Sequence, residues 1–196
     1  VTLPWFYEAF QDLLGAARAR RRFFAEWVET DASKDVLDIG CGPGVALPHI
    51  TYRNYVGIDL NTDHVARARA RHASNAAFKV GAAQDVVPKL DGAFDVILAF
   101  GFLHHLNDEN VCRLLDAAVS KLRPNGCAFF LEPVYVRGQH PIARKMKDLD
   151  SGQHIRTPDA YASLMERDGF RLTSRISSDL LRIPYNHFWG RLTRDA

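Results

Sequence analysis

Three glycines at alternate positions follow directly on an apolar run in Val36-Leu37-Asp38-Ile39-Gly40-Cys41-Gly42-Pro43-Gly44. Glycine lets a backbone turn sharply and approach a ligand with no Cβ in the way. A helix starting after such a turn adds free N–H donors. The spacing is Gly-x-Gly-x-Gly, without the two residues that separate the last glycines of the usual dinucleotide fingerprint. The Gly-Lys-Ser/Thr ending of a phosphate-binding P-loop is also missing. A second chemical feature lies about 20 residues on, where Asp59 closes the apolar run of Gly57-Ile58-Asp59-Leu60. An acid there accepts hydrogen bonds from both hydroxyls of a ribose. Asn61 and Thr62 are better placed than Asp59 to cap the helix that follows. A third feature is the pair His104-His105, just beyond the apolar run 94–100. Histidine is the natural base where a proton must be taken near neutral pH.

These groups need a scaffold, and the hydrophobic pattern supplies one. Strands over 36–39, 55–58, 78–80, 94–100 and 127–131 alternate with helices over 63–72 and 109–122, the signature of βαβ units and a parallel sheet. Open sheets of this kind bind ligands at the carboxyl ends of their strands. A helix opens at Thr157-Pro158-Asp159 and stops before Gly169, and two β-rich runs over 170–176 and 185–192 follow. Residues 5–29 read as one amphipathic helix whose apolar stripe is Phe6, Phe10, Leu13, Ala17, Phe24 and Trp27, with Arg20 falling on the same stripe. Residues 133–156 have weak periodicity and read as a lid over a site or a short irregular helix.

Composition excludes several classes. A chain of 196 residues fits one domain. Its 25 basic and 23 acidic residues nearly cancel, leaving a net charge of +2 and no general nucleic-acid or membrane surface; only Arg18, Arg20, Arg21 and Arg22 cluster. Cys41, Cys112 and Cys127 are odd in number and lack C-x-x-C spacing, which speaks against a disulfide framework or structural zinc. No leader-like or membrane-spanning run is seen, so the expected location is the cytoplasm.

Together the motifs resemble those of the class I S-adenosylmethionine-dependent methyltransferases, over nearly the whole chain. Val36 to Gly44 is similar to their first signature, and Asp59 to their ribose-binding acid. Phe94-Asp95-Val96-Ile97-Leu98-Ala99-Phe100 with Leu103-His104-His105-Leu106 resembles their fourth-strand motif. Leu122-Arg123-Pro124-Asn125-Gly126 resembles the turn before their fifth strand. The resemblance implies a Rossmann-like, doubly wound seven-stranded sheet of order 3-2-1-4-5-7-6, with the last strand antiparallel and an N-terminal helix in front. It implies S-adenosyl-L-methionine as cofactor and S-adenosyl-L-homocysteine as product. The cofactor residues would be Asp38, Gly40, Cys41, Gly42, Gly44, Asp59, Leu60 and Phe100.

The loop Gly81-Ala82-Ala83-Gln84-Asp85 departs from the usual acidic adenine reader and is similar to the loop of the catechol O-methyltransferases. Gln84 and the Ala83 N–H would then face the adenine; the alternative is that Gln84 and Asp85 only start a short helix. The magnesium-binding carboxylates of those enzymes have no counterpart after Phe100-Gly101-Phe102, and Glu132 alone makes a poor site for a hard cation, so no metal is expected. Arg20, on its buried stripe, needs an anion; the methionine carboxylate of the cofactor would serve, with Tyr7 as a lid, unless the arginine snorkels to solvent. His104 and His105 are the candidate bases, against a structural or cofactor-flanking role. His154, Arg156, Tyr185 and His187 are candidates for the acceptor side, against ordinary loop polarity.

Neither a Pro-Cys nucleophile nor an Asn/Asp-Pro-Pro-Tyr run is present, which leaves transfer to oxygen or nitrogen of a small molecule or glycan precursor. Two rival readings keep the motifs: an RNA or protein acceptor, disfavoured by near-neutral charge, and a non-catalytic cofactor-binding partner, disfavoured by the intact turn.

Overall fold

The computed structural model describes residues 15–72, 76–148, 150 and 152–195. Its centre is the sheet β3-β2-β1-β4-β5-β7-β6. The strands are β1 (Asp35–Ile39), β2 (Asn54–Asp59), β3 (Ala76–Val80), β4 (Phe94–Phe100), β5 (Leu122–Pro133), β6 (Phe170–Ser177) and β7 (His187–Arg194). β1 pairs in parallel with β2 and β4, and β4 with β5, whereas β7 is antiparallel to both β5 and β6. The expected order and the antiparallel last strand are both found.

β1 is buried along its whole length, as a central parallel strand covered on both faces must be. Leu37 and Ile39 join Ile97, Ala99 and Leu114 in one core. Val36 joins Val96, Leu98 and Phe129 in the other, on the opposite face. The first core is closed by α4 (Asp108–Ser120) and by α6 (Pro158–Met165), which Thr157 caps by accepting the Ala160 N–H. The second is closed by α2 (Thr62–Arg71) and α1 (Ala16–Trp27). Two shorter helices complete the set: α3 (Ala83–Val86) and α5 (Pro141–Asp148). The latter gives the region of weak periodicity one regular element.

Two expectations need correction. The N-terminal helix does not run unbroken over 5–29: Gly15 sits at φ +88, outside helical space, and α1 starts at Ala16. Its buried residues are Ala19, Phe23 and Phe24, so the stripe is rotated from the expected one and Arg20 lies at its half-buried margin. Phe6, Phe10 and Leu13 lie outside the described residues. The second correction is to β5, which begins at Leu122 rather than 127. A register shift between Phe94 and Val96 absorbs the extra residues. Arg123 in that stretch pairs with Asp35 at 2.7 Å and with Asp95, joining the amino ends of β1, β4 and β5. Arg53 also pairs with Asp35, at 2.6 Å; its hydrogen bond, then that of Arg123, holds the Asp35 carboxyl well below the usual range.

Candidate active site

The glycine turn leaves β1 with Gly40, Gly42 and Gly44 all at positive φ (73, 53 and 82). A Cβ on Gly40 would lie 2.3 Å from the Phe102 ring, so this glycine lets the turn seat against the loop after β4. The N–H groups of Gly40 and Cys41 donate to the Ile58 carbonyl, tying the turn to β2. One residue on, the Gly42 N–H donates to Asp59 Oδ2 at 2.8 Å, and the Asn61 N–H donates to Oδ1 at 2.8 Å. Each carboxylate oxygen keeps acceptor capacity for a further donor. Asn61 in turn caps α2 by accepting from Asp63 N–H and His64 N–H, as its position suggested.

Around this turn lies a cleft of about 710 Å³, within the usual range of small-molecule sites. One wall carries Gly40, Gly42, Asp59, Leu60, Ala83 and Gln84, all expected from the sequence. The facing wall is the turn after β4, with Gly101, Phe102, His105 and Leu106. Leu60 is 71% exposed at the rim, an apolar surface open to a flat ring. Asn61, His64 and Phe102 also line the cleft and were not singled out from the sequence. Asn61 was recognised only as a cap, and Phe102 has no signal beyond its position after a strand.

The two histidines are in opposite situations. His104 is buried, its Nδ1 2.7 Å from Glu132 Oε2 and its Nε2 3.4 Å from Asp150 Oδ1. Burial disfavours a charge there, yet hydrogen bonds to Asp150 and Glu132 outweigh it and lift the pKa to about 9. His105 lines the cleft, and its pKa is lowered by burial and then by the neighbouring His104. The two shifts run in opposite directions, favouring the cation at His104 and the neutral ring at His105.

Other candidates fall elsewhere. Asp38 is buried beneath the turn, where it accepts from the Tyr55 hydroxyl, and burial pushes its pKa up to about 7. Cys41 packs under the turn against Gly57, where an added Cβ would lie 2.8 Å from its Sγ. The Phe100 ring makes edge contacts with Phe23 and Phe24, at 4.9 and 5.1 Å, on the α1 side. Gly44 and Arg20 line a second cleft of about 280 Å³ with His49, Arg71 and His72. Tyr7 lies outside the described residues.

The acceptor-side candidates do not converge on the large cleft. Arg156 is buried, and its guanidinium donates to the carbonyls of Leu103, Leu106 and His154 and to Asp108. The His154 N–H donates to the His104 carbonyl. The Tyr185 and His187 rings lie 5.0 Å apart and tilted by 48°, beside Lys147, whose Nζ lies 4.8 Å from the Tyr185 ring centroid. Burial, and then Lys147, lower the His187 pKa to about 4. Among the described residues no group of three or more His, Cys, Asp or Glu side chains is placed to hold a metal ion, and no helix is long and apolar enough to cross a membrane.

A sheet of this order, with a glycine turn after β1 facing an acid at the tip of β2, defines a class I S-adenosylmethionine-dependent methyltransferase. The chain belongs to the methyltransferase domain family, which it matches over residues 8–175. It is 28% identical over 169 residues to a ubiquinone biosynthesis O-methyltransferase of Chromobacterium violaceum, covering 75% of this chain and 73% of that protein. It is also 28% identical to a demethylmenaquinone methyltransferase of Chlorobaculum parvum, over 68% of this chain and 52% of that one. Among solved structures, CalO1, a methyltransferase in calicheamicin biosynthesis in its SAH-bound form, superposes with a TM-score of 0.70 at 19% identity, covering 97% of this chain and 56% of CalO1. A TehB-like methyltransferase from Corynebacterium glutamicum superposes at 0.65 and 16% identity, covering 96% of each chain.

Proposed function

We propose that the protein transfers the methyl group of S-adenosyl-L-methionine to an oxygen or nitrogen of a small molecule or glycan precursor, without a metal, and that His105 accepts the acceptor's proton. One observation carries this reading: a single cleft joins the glycine turn, Asp59, Leu60 and Gln84 on one wall to His105 and Phe102 on the other. The residues fit the cofactor. Asp59 keeps lone pairs for two ribose hydroxyls, Leu60 offers an apolar face to adenine, and Gln84 with the Ala83 N–H suits its polar edge. No side chain crowds Gly42, where an added Cβ would meet nothing within 4 Å.

The cofactor supplies a methyl group on a sulfonium, an already excellent leaving group. What remains for the chain is to align the acceptor, exclude water and take a proton where one is lost. His105 is suited to the last task because its lowered pKa leaves it unprotonated at neutral pH. His104, charged and held by two carboxylates, is not suited to it. The metal-free reading is supported by Glu132, whose two oxygens are taken by N–H donors.

Residues 133–156 act as a lid on the acceptor side, tied to the turn after β4 by the His154 N–H and backed by Tyr185 and His187, which pack against Lys147. Arg156 serves that side indirectly, by holding the turn 103–106. The names of the Chromobacterium and Chlorobaculum relatives favour a biosynthetic small molecule, with oxygen as the first atom to try. Three free cysteines suit the cytoplasm.

A methyl-release assay against a panel of hydroxylated and amine-bearing metabolites tests the reading. Turnover should persist in excess chelator and fall on the order of 10²–10⁴-fold in His105→Ala, with cofactor affinity unchanged. Turnover on RNA or protein alone would overturn the acceptor class. A loss in chelator that magnesium restores would overturn the metal-free mechanism.

A further inference from the structure

We propose that His104 is a positioning residue: a strut between Glu132 and Asp150 that locks the cleft-lining turn 101–106 to the segment 150–156, so that Phe102 and His105 keep their places as that segment closes the acceptor side. The inference builds on the reading of His105 as the proton acceptor.

Glu132 projects from β5 and is 0% exposed. Its Oε1 accepts the N–H groups of Phe102 at 2.9 Å and Leu103 at 2.8 Å. Its Oε2 takes the His104 N–H at 3.3 Å and His104 Nδ1 at 2.7 Å. One buried carboxylate thus gathers the start of the turn, and alone it would be an uncompensated charge. The imidazole supplies the compensation. With a carboxylate oxygen facing each ring nitrogen, at 2.7 and 3.4 Å, the surroundings favour the doubly protonated, cationic ring.

The second carboxylate, Asp150, belongs to the other segment and also accepts the Gly152 N–H at 2.8 Å. Gly152 itself lies against the ring: a Cβ there would be 1.9 Å from His104 Cδ2, so only glycine lets the segment pass this close. The lock continues through the His154 N–H on the His104 carbonyl at 2.9 Å. Arg156 then spans the Leu103 and Leu106 carbonyls at 3.1 and 2.7 Å. Segment 150–156 therefore cannot leave the turn without stranding a buried cation.

The same strut bears on the base. The His104 and His105 rings are 4.1 Å apart between centroids, and Asp150, Glu132 and Asp59 are the other charged groups that act on His105. A positive charge on His104 disfavours a second one on His105 and keeps it free to accept a proton.

The test uses His104→Gln, which keeps a donor but not a charge, and Asp150→Asn at the more exposed end, which should fold where the first variant does not. Imidazole NMR titration should show the His105 midpoint rising in His104→Gln relative to the native protein. Amide exchange should accelerate about tenfold or more in both 102–106 and 152–156 in either variant, since a lock opens on both sides together. An unchanged His105 midpoint in His104→Gln, or faster exchange in one segment only, would overturn the proposal. The readouts need no turnover. If His105→Ala stays active while both effects appear, the base assignment falls and the strut stands.

Discussion

The carboxyl edge of β1 and β2 and the frame of Glu132, His104 and Arg156 both gather polar groups, yet the chain uses them in opposite ways. Around the glycine turn the polar atoms are half-used. Asp59 accepts one N–H on each oxygen, Gln84 faces the cleft, and Leu60 is left exposed. In the frame of Glu132, His104 and Arg156 they are taken up by the protein. Glu132 takes four donors, Arg156 bonds three carbonyls and a carboxylate, and His104 lies between two carboxylates. Unspent hydrogen-bonding capacity beside a cavity marks a place where a ligand can be held. Spent capacity marks the frame that holds it. The frame carries the greater cost of disruption, because its groups are buried and charged.

Breaking the frame should therefore have the largest effect. Arg156→Ala removes the guanidinium donor from three carbonyls, leaving those of Leu106 and His154 unpaired, and should cost about 3–5 kcal/mol, seen as a lower denaturation midpoint. Were Arg156 an acceptor-site residue instead, stability would hold and only the acceptor KM would rise.

The next effect is a pH dependence. The raised pKa of His104 favours the folded state fully below about 6.5, its ordinary value, and that contribution is lost as pH rises through about 9. Unfolding free energy should fall between these limits by an amount on the order of 3 kcal/mol at most. The fall should be absent in His104→Gln. A flat profile in the native protein would mean that His104 is neutral and the frame uncharged.

The smallest effect on the fold, and the sharpest on the ligand, is expected at Asp59. Asp59→Ala should weaken cofactor binding by about 1.5–3 kcal/mol, roughly 10- to 100-fold, by titration calorimetry. Global stability should change by less than about 1 kcal/mol, since the carboxylate is partly solvated and its partners can turn to water. Unchanged affinity with intact folding would remove Asp59 from the ribose site and erase the contrast between the two regions.

The contrast also explains what could be read along the chain. Gly40, Gly42 and Asp59 were legible because their chemistry is local: a turn needs glycine where φ is positive, and the acid stands at the end of its own strand. The strands were legible because a strand buried on both faces writes an unbroken apolar run. Arg156 and His104 were visible as polar residues, but nothing in their neighbourhood says that Arg156 reaches back some 50 residues to the turn carbonyls. Nor does it say that His104 finds Glu132 across β4 and β5.

By itself the sequence determined where the strands and helices fall, the turn that faces a nucleotide-like ligand and the acid beside it, because period, glycine and strand end are properties of short stretches; the order of the strands followed from the family resemblance. It did not determine the phase of α1, which depends on Phe23 and Phe24 meeting Phe100 and His49 and on the left-handed Gly15 at its start. It did not separate His104 from His105 either. Adjacent in the chain and identical in chemistry, they differ only in which way each ring points after folding: one toward two carboxylates, the other toward the cleft. That is decided by contacts between residues far apart in sequence, where desolvation and charge act at a few ångströms and chain distance has no bearing.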